Sequence, residues 1–111
     1  MKTKQKQSTR SGFGQAMAEL GRNKKVVALS ADLIDSNKLN AFIDKYPQRF
    51  FQAGVAEQNM VSMATGLALE GKIPFACSFG VFVPMRCLDQ IRVSVCYNQA
   101  NVKLVATHCG L

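Results

Sequence analysis

The chain has 111 residues, enough for one domain and not comfortably two. A hydrophobic content of 48% with 19% charged residues excludes a disordered chain, and no apolar stretch approaches the roughly 20 residues of a membrane span. The formal net charge of +7 gathers between Lys2 and Lys25, in a polar tail and a short loop rather than on a face interleaved with aromatics, which argues against nucleic-acid binding.

Residues 1–8 read as a polar basic tail, and the start MKTKQKQSTR has no apolar core, so a cytoplasmic location is the expectation. Ser8 and Thr9 offer N-caps to a first helix, with Phe13, Ala16, Met17 and Leu20 at helical spacing and Gly21 as its stop. KVVALSAD follows as a short valine-rich run, the pattern of a strand buried on both faces. Ser36 is placed to cap a second helix carrying Leu39, Phe42 and Ile43, which Pro47 limits. Arg49 to Ala53 reads as the second strand, and Gly54 as a turn.

From Glu57 to Glu70, Met60, Met63, Ala64, Leu67 and Ala68 form one helical stripe that Gly71 closes. Ile73 to Phe79 is the third predicted strand. Pro84 suits the first turn of a further helix with Leu88, Ile91 and Val95 facing inward. Val102 to Thr107 is the fourth strand. This alternation predicts an α/β fold, a mostly parallel sheet flanked by helices, whose edges need cover from more chain or a partner.

The cysteines Cys77, Cys87, Cys96 and Cys109 form no CxxC pair, and His108 is the single histidine, so no metal site is expected. Three of the four lie in apolar runs, where free cysteine behaves as a small buried hydrophobe. Ligands of open parallel sheets bind at the carboxyl ends of strands. The chain stops at Leu111, just past such an end, and reads as a domain cut short.

In QAGVAEQNMVSMATGLALEG a carboxylate, Glu57, opens a helix otherwise devoted to packing. An acid in the first turn is common because the helix dipole favours it, so Glu57 alone has a structural explanation. The wider pattern is more specific. TRSGFGQAMAELG, SADLIDSN, FFQAGVAEQNMVSMATGLAL, PFACSFGVFVPMRCLDQIR and VKLVATHCG, in this order and spacing, resemble the pyrimidine-binding domain of transketolases over residues 9–111.

The resemblance implies thiamine diphosphate as cofactor and a role for each matching residue. Glu57 matches the glutamate that shares a proton with N1′ of the aminopyrimidine ring, so that the ring's exocyclic nitrogen can take the C2 proton of the thiazolium. Phe79 and Phe82 match the aromatic pair that packs against that ring. Asp32 and Ser36 fall in a loop lining the cofactor and substrate channel, though a turn aspartate and a helix cap are the bland alternatives. Arg10 matches an arginine that contacts the sugar phosphate, as a guanidinium suits phosphate. His108 matches a substrate-facing histidine with a catalytic part in the same channel. A third, often aromatic, position falls near Met85, a departure from the pattern.

The sequence contains no GDG motif with a downstream asparagine, the family's device for Mg²⁺ and the diphosphate. The resemblance therefore implies a diphosphate-binding transketolase subunit as partner, in a homodimer or heterotetramer, with sugar phosphates as substrates and neither nucleic acid nor membrane. This chain would be the truncated C-terminal-type subunit of a split transketolase, inactive alone, serving the pentose phosphate pathway. The alternatives are 1-deoxyxylulose-5-phosphate synthase, a 2-oxo-acid dehydrogenase β-type subunit, or a non-catalytic interaction module of the same fold.

Overall fold

Strand β1 (Val26–Ser30) lies inside the sheet, and its five residues are all buried, as its unbroken apolar run requires. β2 (Phe50–Gln52) flanks it on one side, and β3 (Ile73–Phe79) on the other, followed by β4 (Lys103–Thr107). All pairings are parallel, and the order is β2-β1-β3-β4. The computed structural model describes residues 6–110, so most of the expected tail, residues 1–5, and Leu111 lie outside the described residues.

Side-chain alternation along β1 divides the core in two. Val27 and Leu29, with Ala31 beyond the strand, face Met60, Val61 and Ala64 of helix α3 (Glu57–Leu69) and Val95 of the segment after β3. Val26 and Ala28 face Met17 of α1 (Thr9–Leu20), together with Leu39 and with Phe42 of α2 (Asn40–Lys45). Each of the larger side chains among them contributes about 1.5–3 kcal/mol. The chain thus leaves β1 along one face and β3 along the other, which opens a crevice between the carboxyl ends of these two strands.

Several local expectations shift. Ser8 caps α1, accepting from the Ser11 amide at 3.3 Å. Ala16 and Leu20 are exposed, because α1 meets the sheet through Gly14, Met17 and Ala18 instead. Ser36 is no cap: it sits in the coil before α2, which starts at Asn40 behind Leu39 with no side-chain cap. Arg49 belongs to a 3₁₀ turn (Pro47–Arg49), where its guanidinium joins the carbonyls of Gly21 (2.6 Å), Asn23 (2.9 Å) and Val26 (3.2 Å) and lies over the Tyr46 ring. Gly54 and Gly71 both take positive φ, which their turns demand.

The region after β3 departs most from expectation. Instead of one helix it runs through a 3₁₀ turn (Met85–Cys87), one α turn, here α4 (Leu88–Gln90), and a π-helix (Ile91–Cys96). Val95 faces the core as expected and Ile91 is half-buried, but Leu88 is 64% exposed. All four cysteines are free: Cys77 and Cys87 are buried, whereas Cys96 and Cys109 are exposed, so the apolar runs overstate cysteine burial. No described helix is long and apolar enough to cross a membrane.

Candidate functional site

Because every strand runs the same way, the loops after β1, β2, β3 and β4 gather at one edge of the sheet. Each of the residues singled out in the sequence except Arg10, on α1, sits at this edge. The loop after β2 turns at Gly54, whose amide donates to Gln52 Oε1 at 3.1 Å, and delivers Glu57 to the first turn of α3. There the helix dipole favours a carboxylate. Glu57 is only 4% exposed, and its Oε1 accepts from Arg86 Nη1 at 2.9 Å.

Arg86 comes from the loop after β3. A tight turn, with the amides of Phe82 and Val83 both donating to the Phe79 carbonyl, folds the Phe82 ring against Phe79. Their centroids are 5.8 Å apart and the planes differ by 22°. The Arg86 guanidinium lies over the Phe82 ring, 4.5 Å from its centroid, while the Arg86 carbonyl accepts from Gln58 Nε2 at 3.1 Å. The start of α3 therefore grips Arg86 by both backbone and side chain. Beside it, burial and the charge of Glu57 push the Cys87 thiol up, against the opposing pull of Arg86.

Phe79 also touches His108, with centroids 4.3 Å apart. His108 has φ 58, a left-handed conformation uncommon outside glycine and often found at functional sites. Its Nδ1 lies 2.8 Å from Thr107 Oγ1, and Thr107 Oγ1 accepts from Asn37 Nδ2 at 2.9 Å. Glu57, Arg86, Phe82, Phe79, His108, Thr107 and Asn37 thus form one unbroken series of contacts across the ends of all four strands.

Arg10 reaches the edge from α1. That helix can approach the loop after β1 because Gly14 lacks a side chain: a Cβ there would fall 2.5 Å from the Lys38 carbonyl oxygen. Arg10 Nη1 donates to the Ser36 carbonyl at 3.3 Å, and Arg10 lines a cavity of about 290 Å³ with Ser8, Thr107 and His108. Ser36 enters this arrangement through its backbone. Asp32, exposed and at φ 63, stands apart; its amide donates to Gln52 Oε1 at 2.8 Å, on the β2 side of the edge. Among the described residues no three His, Cys, Asp or Glu side chains converge on a metal position. A larger cavity, about 670 Å³, opens along the π-helix between Leu88 and Tyr97, and no acid or histidine lines it.

The sequence reading missed Arg86, Asn37, Gln52 and Thr107. Arg86 stands in the motif PMRCLDQIR, and only the turn at Phe79 shows that it reaches Glu57. Asn37 and Thr107 end SADLIDSN and precede the histidine, respectively, but a polar residue that will be buried looks like any loop residue in sequence.

The family profile "Transketolase, pyrimidine binding domain" matches residues 5–111. This chain belongs to that family. Among curated transketolase relatives, the putative transketolase C-terminal section of Methanocaldococcus jannaschii is 50% identical over 103 residues, which cover 92% of this chain and 33% of that protein. The 6-deoxy-6-sulfo-D-fructose transketolase subunit of a Clostridium species is 42% identical over 90 residues, 81% of this chain and 28% of the relative. Human transketolase is 38% identical over 106 residues, 94% and 17% of the two chains. A solved split-gene transketolase, described as an inactive beta4 tetramer, superposes with a TM-score of 0.81 at 50% identity, covering 90% of this chain and 33% of the other. The pyrimidine-binding domain described above thus spans about a third or less of the relatives it matches.

Proposed function

We propose that this domain supplies the pyrimidine-side half of a thiamine-diphosphate site, completed by a diphosphate-binding partner subunit. The observation that carries the reading is the buried Glu57 carboxylate, facing a guanidinium that lies over the Phe82 ring. The place the guanidinium occupies, against Glu57 and over Phe82, suits a planar nitrogenous ring that shares a proton with the carboxyl group and turns a flat face to the aromatic ring. An aminopyrimidine meets both requirements. Arg86, whose side chain is 53% exposed, yields the place by swinging into solvent.

When bound, thiamine diphosphate supplies a nucleophilic carbon that carries a two-carbon ketol unit from a ketose phosphate to an aldose phosphate. Glu57 holds a proton against the ring nitrogen N1′, which a carboxyl group can both give and take. Phe79 and Phe82 fix the ring plane, with stacking worth about 0.5–1.5 kcal/mol beyond burial. Arg10 and His108 receive the sugar phosphate in the cavity they share, where the Ser36 carbonyl holds the Arg10 guanidinium; Asp32 stands outside that cavity, on the β2 side of the edge. Mg²⁺ and the diphosphate fall to the partner, a division that the likeness to a split-gene transketolase supports.

The relatives above are transketolases or their subunits, which supports ketol transfer over pyruvate chemistry. The solved split-gene relative described as an inactive beta4 tetramer supports a chain that needs its partner. In the full assembly, Glu57→Gln lowers turnover of a ketose phosphate by at least about 10²-fold while assembly, read by size-exclusion chromatography, persists. Turnover near wild type in that variant would remove Glu57 from its role. Pyruvate replacing the ketose phosphate as donor would redirect the reading to a synthase or dehydrogenase.

A further inference from the structure

We infer that Asn37 and Thr107 are positioning residues that hold the neutral His108 ring as the tautomer protonated at Nε2. The assignment starts from the Ser78 carbonyl, which can only accept a hydrogen bond. The Asn37 amide lies 3.5 Å from it, so the amide must present nitrogen there; the flipped amide would set two acceptor oxygens against each other. With that orientation fixed, Asn37 Nδ2 donates to Thr107 Oγ1 at 2.9 Å. A hydroxyl can accept twice, but Thr107 also has one hydrogen to give, and among the described residues its one remaining hydrogen-bond partner is His108 Nδ1, 2.8 Å away, which we assign as the acceptor. An Nδ1 that accepts leaves the ring proton on Nε2.

Two further features support a positioning role. Asn37 is 0% exposed, and its Oδ1 has no partner among the described residues. An unsatisfied buried oxygen costs roughly 1–3 kcal/mol, so the amide is poorly explained by stability. Meanwhile the Phe79 ring packs on His108 at 4.3 Å and the backbone at His108 holds φ 58, so ring plane and ring edge are both set. The Nε2–H becomes an aimed donor beside the Arg10 guanidinium, in the cavity both residues line. It suits a phosphate or hydroxyl oxygen, which accepts, and discriminates against an ammonium group, which only donates. Asn37 thereby links the loop after β1 to the ends of β3 and β4 across the crevice.

This inference rests on the reading of His108 as substrate-facing, and its test separates the two. The chain has a single histidine, so its imidazole nitrogens give unambiguous ¹H–¹⁵N correlations in the full chain. The expected pattern for the neutral ring is a pyridine-like Nδ1 and a protonated Nε2. A protonated Nδ1 in the wild-type protein overturns the inference, and no variant is needed to see it. Thr107→Val is expected to erase the preference, and Thr107→Ser, which keeps the hydroxyl, to restore it; a preference unchanged in Thr107→Val also overturns it. In the assembled enzyme Thr107→Val raises KM for a ketose phosphate about tenfold with kcat within about threefold, the scale of one hydrogen bond. An unchanged KM would overturn the link to ligand. Failure of the assembly to bind thiamine diphosphate would instead sink the cofactor reading and leave the tautomer standing.

Discussion

Helix α3 and the segment from Gly80 to Cys96 pack against the same face of the sheet, and each brings one charged residue to the Glu57–Arg86 pair. α3 does so as 13 regular residues, with Met60, Val61 and Ala64 fully buried behind Glu57. The other segment passes through 3₁₀, α and π turns and leaves Val81, Met85, Leu88 and Val93 more than half exposed. A regular helix fixes its functional residue by packing everything behind it. The irregular segment fixes Phe82 and Arg86 by hydrogen bonds at the turn, and local irregularity of this kind gathers at functional sites.

Thiol chemistry sets the irregular segment against the sheet beneath it. Burial holds the Cys77 thiol well above the usual thiol range, and burial with the Glu57 charge raises Cys87. Since only the thiolate reacts, iodoacetamide at pH 8 should modify the exposed Cys96 at least about 10²-fold faster than either buried cysteine. Cys77 in β3 reports opening of the sheet, and Cys87 reports opening of the irregular segment. Equal protection of both would show that the segment opens only with the sheet. Because these folded-state values lie above the ordinary 9.0, the thiols contribute stability fully below pH 9 that is lost as pH rises past it. A denaturation midpoint that rises between pH 8 and pH 10.5 would contradict this sign.

Core truncation comes next in size. Met60→Ala removes a fully buried side chain between α3 and β1 and is expected to cost about 2–5 kcal/mol in urea unfolding. A loss below about 1 kcal/mol would mean that α3 is not the anchor described.

Legibility in the sequence follows the same division. Val26–Ser30 and Glu57–Leu69 announce themselves because burial on both faces and a helical stripe leave direct marks in composition. The parallel α/β sheet follows from their alternation. Ser36 misled because a serine before an apolar run looks like a cap, whereas Arg10 engages its carbonyl and the helix waits until Asn40. Leu88 misled because periodicity reports which residues share a face, not whether anything covers it. At the candidate site, Glu57, Phe79, Phe82 and His108 carried a recognisable motif. Arg86 and Asn37 stand in quoted motifs too, but their parts did not show, since each acts through long-range hydrogen bonds, 29 residues from Arg86 to Glu57, and 41 and 70 residues from Asn37 to Ser78 and Thr107.

Smaller effects test the ion pair itself. Removing one partner of a buried pair commonly costs 3–5 kcal/mol, but Arg86 is half in water, so Arg86→Met should cost only about 1–2 kcal/mol in the free chain. The double variant Glu57→Gln, Arg86→Met should recover part of that loss, because it leaves no unpaired carboxylate. Strict additivity of the two single variants would show that the contact contributes nothing to stability.

The smallest effect bears most directly on the comparison. Leu88 belongs to the same stretch as Arg86 and points an apolar side chain into solvent, so truncating it forfeits little packing within the domain. Leu88→Ala is expected to change unfolding free energy by no more than about 0.5 kcal/mol, against the several lost in Met60→Ala. Val95, 9% exposed on the same segment and part of the core, supplies the internal control and should fall between them. If Leu88→Ala instead matched Val95→Ala, the segment would be packing as one continuous helix. The irregular turns that aim Phe82 and Arg86 at Glu57 would then lose their physical basis.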